Sequence, residues 1–118
     1  MDYRKLGSSG LRISAVGLGC NPFGAEVDLA AARAMVDTAL ELGVTYFDTA
    51  DSYSDSRSEE YLGQALSGRR HQALIATKFG NPVGPGPNDG GASRAHIMAA
   101  CEASLRRLKT DYLDVYQV

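Results

Sequence analysis

Three side chains in this sequence, Asp48, Tyr53 and Lys78, are of types that can share a proton-transfer step. A free phenol, with a pKa of about 10, is a poor acid–base group near neutrality, but an ammonium beside it favours the phenolate and brings the group into range. Lys78 is the candidate ammonium. Asp48 has the complementary task, because a carboxylate paired with Lys78 keeps the amine charged under partial burial and fixes its position. Taken singly, a core-rim ion pair and an ordinary loop tyrosine would account for all three, so their meaning depends on the elements that carry them.

Val44-Thr45-Tyr46-Phe47 reads as a short apolar strand in which Val44, Tyr46 and Asp48 share one face and Thr45 and Phe47 the other. Asp48 therefore ends the strand, and a polar loop runs on through Tyr53. Thirty residues after Asp48 a second apolar run, Ala73–Thr77, ends at Lys78, with Leu74, Ala76 and Lys78 on one parity. In a parallel α/β sheet, ligands bind outside the carboxyl ends of the strands, which brings these opposite charges and the phenol to one crevice.

The rest of the chain supplies matching units. Arg4–Gly7 and Leu11–Ser14 flank the turn residues Ser8-Ser9-Gly10 and predict a hairpin. Ala15–Gly19 predicts a core strand, broken at Cys20-Asn21-Pro22-Phe23-Gly24. Asp28 is the expected N-cap of a helix whose stripe is Leu29, Ala32, Val36, Ala39 and Leu40, closed by Gly43. Ser56-Arg57-Ser58-Glu59 has capping-box spacing and opens a second helix with Tyr61, Leu62, Ala65 and Leu66 on its apolar side. Gly80–Gly91, with three prolines and five glycines, excludes regular structure and marks a functional or mobile loop. Ser93 is expected to cap a third helix with Ile97, Cys101, Leu105 and Leu108 at helical spacing, and Tyr112–Val118 predicts a last strand. The expected fold is α/β: an amino-terminal hairpin plus about four parallel strands with three helices. That is half of a (β/α)8 TIM barrel, which takes about 250 residues.

Composition narrows the function classes. With 118 residues, 44% hydrophobic and 22% charged, the chain has globular character at the size of one domain. A net charge of −2 argues against nucleic-acid binding, and the basic clusters Arg69-Arg70 and Arg106-Arg107 with Lys109 read as solvated helix ends. No apolar run approaches the roughly 20 residues of a membrane span, and the amino terminus lacks the apolar core of a signal peptide, so a cytoplasmic location is expected. Cys20 and Cys101 stand far apart and read as small buried hydrophobes. His71 and His96 are isolated, and no metal site is expected. Gly17-x-Gly19 with Gly24 has a displaced third glycine and a helix that starts only near Asp28, which argues against a Rossmann loop.

Four motifs, in order, resemble the aldo-keto reductase superfamily. Tyr3–Gly7 through Leu18-Gly19-Cys20 is similar to that family's capping hairpin and first strand, and Gly43 through Tyr53 resembles its G-x-x-x-F-D-T-A-x-x-Y signature. Ser58–Gly63 resembles the S-E-x-x-L-G helix. Ala76-Thr77-Lys78, then Ser104–Leu108 and Asp111–Gln117, resemble the lysine strand and the following helix and strand. The resemblance implies that residues 1–118 are the amino-terminal portion of a (β/α)8 barrel that reduces aldehyde or ketone carbonyls with NADPH or NADH. Asp48, Tyr53 and Lys78 then match the family's catalytic Asp, Tyr and Lys, and its histidine would fall at position 119. Asp48, Cys20 and Asn21 are implied at the nicotinamide side of the cofactor, a plain turn at Cys20-Asn21 being the alternative. Ser54 departs from the family, which usually has glycine after the tyrosine, and the Gly80–Gly91 loop has its own composition. The rival expectation is a catalytically silent half-barrel that acts by pairing with itself or with another chain through its open sheet edges.

Overall fold

Turn residues set the first reversal: with Gly7 and Gly10 at positive φ, the Ser8-Ser9 turn folds β1 (Tyr3–Lys5) back on β2 (Arg12–Ser14) as an antiparallel hairpin. The computed structural model describes residues 1–118. After the hairpin, strands and helices alternate as β3 (Gly17–Gly19), α1 (Leu29–Glu41), β4 (Tyr46–Asp48), α2 (Arg57–Ala65), β5 (Leu74–Lys78), α3 (Arg94–Leu108) and β6 (Val115–Gln117). The four later strands are parallel and lie in the order β3-β4-β5-β6, the arrangement that successive βαβ crossovers produce. Register aligns Gly19 with Asp48, Asp48 with Ala76, and Lys78 with Gln117. A 3₁₀ turn at Arg70–Gln72, not expected from the sequence, precedes β5.

Two caps form as the sequence predicts. Asp28 Oδ1 accepts from the Ala31 amide at 2.8 Å, and Ser93 Oγ accepts from the His96 amide at 3.1 Å. The core lies between the helices and one face of the sheet, built around Phe23, Val36, Phe47, Leu62, Ile75 and Leu108. Val44 joins this core rather than sharing the face of Tyr46 and Asp48, because it belongs to the turn out of α1, where its amide still donates to Ala39 O, and strand alternation begins only at Tyr46.

Three further expectations are corrected. The capping box at Ser56 does not form: Ser56 has φ +71° and its hydroxyl donates to Asp51 O at 2.7 Å, while Glu59 turns inward instead of back to Ser56. α3 buries His96, Ala100, Ser104 and Leu108, one position round from the Ile97, Cys101 and Leu105 stripe, because small side chains at positions 100 and 104 fit the closest approach and the larger ones fit its flanks. The basic clusters are not simply solvated: Arg70 pairs with Asp114 at 2.7 Å and lies 3.9 Å over the Tyr112 ring, Arg107 pairs with Glu59 at 2.6 Å, and Arg69 pairs with Asp37.

α2 and α3 meet where the chain offers no Cβ. A methyl group at Gly63 would lie 2.7 Å from both Leu108 C and Leu108 O, and backbone cannot move aside as a side-chain tip can. Gly63→Ala should therefore destabilise the fold by about 1–2 kcal/mol, overpacking outweighing the helix propensity gained, and a lower urea midpoint at unchanged slope is the expected result.

Candidate active site

Alternation along β4 and β5 puts Asp48 and Lys78 on the sheet face opposite the helices, while Phe47, Ile75 and Thr77 point into the core. There the Lys78 ammonium donates to Asp48 Oδ1 at 2.7 Å, to Thr49 O at 2.9 Å and to the Tyr53 hydroxyl at 3.2 Å. An ammonium has three hydrogens, so its donors are fully used. Because the phenol oxygen accepts from Lys78, its own O–H is left to point away from the lysine. Burial alone would push the Lys78 pKa down. The hydrogen bonds from Lys78 to Asp48 and Tyr53 and the Asp48 charge outweigh it, holding the ammonium above its ordinary 10.5.

The turn that carries Tyr53 is anchored at several points. Thr49 N donates to Ala76 O at 2.9 Å and Asp51 N to Lys78 O at 3.2 Å, stitching the turn to β5. Ser54, Asp55 and Ser56 all take left-handed conformations, with φ of 52°, 52° and 71°. This accounts for the departure noted at Ser54: glycine adopts that conformation freely, whereas serine occupies it here with its hydroxyl donating to Asn21 O at 3.2 Å. Beneath the turn, Ser58 Oγ donates to Cys20 O at 2.6 Å and lies 2.7 Å from Thr49 Oγ1. Glu59, fully buried, accepts from Thr77 Oγ1 and Arg107 Nε, both at 2.6 Å.

A crevice of about 450 Å³ opens beside Tyr53 and Lys78, bordered by Asp51, Ser52, Phe79 and Asn81. The structure thus brings Asp48, Tyr53 and Lys78 together. Asn21 is exposed after β3, its backbone tied to the Tyr53 turn. Cys20 is corrected as a cofactor contact: it is 0% exposed, packed in the core, and burial followed by the Asp48 charge pushes its thiol pKa up to about 12.

Sequence reasoning missed several neighbours. Gln117 stands in register with Lys78 at the end of the next strand, and strand parity alone would have marked it. Tyr46, which strand parity already puts on the Asp48 face, lies there, and burial and then the Asp48 charge raise its phenol pKa. The Thr49 carbonyl carries no signal in a side-chain reading.

Parallel βα units with an Asp–Lys–Tyr cluster at the carboxyl ends of the strands define part of a (β/α)8 barrel. The Aldo/keto reductase family model matches residues 15–118, and the chain belongs to that family. It is 48% identical, over its whole length, to the uncharacterized oxidoreductase YqkF of Bacillus subtilis, and 37% identical, over 98% of its length, to L-glyceraldehyde 3-phosphate reductase of Escherichia coli. Among solved structures, the holo form of aldo-keto reductase AKR11C1 from Bacillus halodurans superposes with a TM-score of 0.88 at 44% identity over 99% of this chain. The chain spans 36–39% of the length of these relatives.

A group whose pKa is raised by folding contributes stability that is present below its unfolded value and is lost as pH rises through the folded one. Lys78 should therefore stabilise the fold at neutral pH, relative to Lys78→Met, and that advantage should shrink only above about pH 10.5. Denaturant titrations of both proteins between pH 7 and 11.5 would measure it; a gap that closes below pH 9 is the contrary outcome.

Proposed function

We propose that this chain carries the proton-transfer site of an NADPH- or NADH-dependent aldo-keto reductase that converts aldehyde or ketone carbonyls to alcohols. The single observation that supports it best is the Lys78 ammonium bound at once to Asp48, Thr49 O and the Tyr53 hydroxyl. Tyr53 is the proton donor to the carbonyl oxygen. Lys78 orients the phenol and stabilises the phenolate left after transfer, and Asp48 keeps the lysine charged and in place. A dihydronicotinamide cofactor, when bound, supplies the hydride. The residues present fit such a group: a Cβ at Gly19 would meet nothing within 4 Å, so the end of β3 beside Asp48 is open to a planar ring, with Asn21 exposed next to it. Asp48 and Asn21 would border that ring. The free thiols Cys20 and Cys101 support a cytoplasmic setting, and no helix is long and apolar enough to cross a membrane.

A second reading rests on the outer edge of β3, which pairs only with β4. Beside it lies an apolar groove lined by Val16, Leu18, Met35, Leu42 and Val44, of which Val16 and Leu42 are more than half exposed. Pairing with a second copy would cover it. Light scattering should then give a mass above 12.5 kDa, and a stable monomer at high concentration would exclude this reading.

The chemistry is tested in a barrel completed by fusing a reductase carboxyl-terminal half after Val118. Tyr53→Phe keeps the ring but removes the hydroxyl, so turnover should fall by roughly 10²–10⁴-fold with cofactor affinity nearly unchanged. Lys78→Met should also suppress turnover, and Asp48→Asn should be milder. Near-full turnover of Tyr53→Phe would end the assignment.

A further inference from the structure

Three buried side-chain atoms have no hydrogen-bond partner within the protein: Asp51 Oδ2, His96 Nε2 and Tyr116 Oη. They come from three elements, the turn after β4, the first turn of α3, and β6. Phe79, the residue after Lys78, ties them to one region. Its ring stacks on Tyr116 at 4.7 Å between centroids and tilts against His96 at 6.3 Å, and it borders the same crevice as Asp51. Asp51 and His96 are 2% and 3% exposed. Charge coupling agrees with this grouping: the Asp51 carboxyl feels Glu59, Arg107 and His96, and the Tyr116 phenol feels Asp51.

Native proteins leave few buried polar groups unpaired, so three in one region call for a common partner. That partner must donate to a carboxylate and also suit a phenol and an imidazole nitrogen, each able to donate or accept. A metal ion does not fit, since no group of three His, Cys, Asp or Glu side chains converges here and burial raises the Tyr116 pKa, keeping it a phenol. An anion does not fit either, because Asp51 and Glu59 already crowd negative charge. A neutral molecule that donates and accepts, making about three hydrogen bonds, is water. We propose that Asp51 Oδ2, His96 Nε2 and Tyr116 Oη are the walls of one buried water site. Its bridging water fastens the Tyr53-bearing turn to α3 and β6. The site stands independently of the chemistry assigned to Tyr53, because its test reads water rather than turnover.

The test is water-selective NOE and ROE spectroscopy on the isotope-labelled 118-residue chain. Long-lived water should give cross-peaks to the His96 ring protons, the Tyr116 ring protons and the Asp51 amide. Asp51→Asn, which keeps an acceptor oxygen, should retain them, and Asp51→Leu should lose them. Tyr116→Phe, which preserves the stack on Phe79, should weaken the His96 and Asp51 signals at least about twofold, and it carries the comparison if Asp51→Leu does not fold. A folded wild-type chain without these cross-peaks, or with cross-peaks unmoved in both Asp51→Leu and Tyr116→Phe, overturns the proposal.

Discussion

One ammonium group organises the carboxyl-terminal face of this sheet. Lys78 places its three hydrogens on a carboxylate at the end of β4, on the carbonyl that follows it, and on a phenol four residues further on. Each acceptor belongs to a different part of the backbone path, so a single charge fixes the strand end, the start of the turn and the reach of the side chain beyond it. The arrangement depends on register: shifting β5 by one residue would send Lys78 into the core and Thr77 into the crevice. Removal of the lysine would also strand Asp48 without its counter-ion.

What holds the register lies behind the sheet. Glu59 is a fully buried carboxylate whose oxygens are taken by Thr77, the residue before Lys78, and by Arg107 from α3. A buried ion pair of this kind adds little net stability over apolar packing, but Glu59, Thr77 and Arg107 tie α2, β5 and α3 to one another at one point. Ser58 does the same for β3 and β4 through the Cys20 carbonyl and Thr49 hydroxyl. Against these clamps stands the left-handed turn at Ser54-Asp55-Ser56, a conformation that costs L-residues about 1–2 kcal/mol apiece. Such strain persists where the surroundings over-determine it, and here it follows directly after Tyr53.

Much of this was legible in the chain. Strand parity and the spacing of two apolar runs were enough to bring Asp48, Tyr53 and Lys78 into one hydrogen-bonded cluster, because both strands are short, parallel and adjacent in the sheet. Asp28 and Ser93 announced their helices, since a cap depends on residues within one turn of itself. Tertiary choices were not legible. Ser56 has cap spacing, yet the route of the turn puts it in the left-handed region and sends its hydroxyl to Asp51. α3 presents His96, Ala100 and Ser104 to the interior rather than its larger apolar residues, because the distance to α2 and the sheet decides which face fits. Cys20 lay at a strand end and looked like a crevice residue, but the chain turns there and the thiol follows the core.

The Gly80–Gly91 segment is ordered around one side chain. The Asp89 carboxylate accepts from the Gly86 amide at 2.7 Å, Asp89 O accepts from Val83 N at 2.8 Å, and Gly91 N closes the ring onto Gly80 O at 2.7 Å. Any Cβ at Gly84 or Gly86 would lie 2.6 or 2.7 Å from that carboxylate, so the glycines are the room in which Asp89 sits. The stem closes before the loop body begins, and only residues at the stem border the crevice. The segment therefore behaves as a cassette: its interior can be lengthened, shortened or exchanged during divergence, or by an engineer grafting a new recognition loop, while the Gly80–Gly91 clasp keeps the mouth of the crevice unchanged.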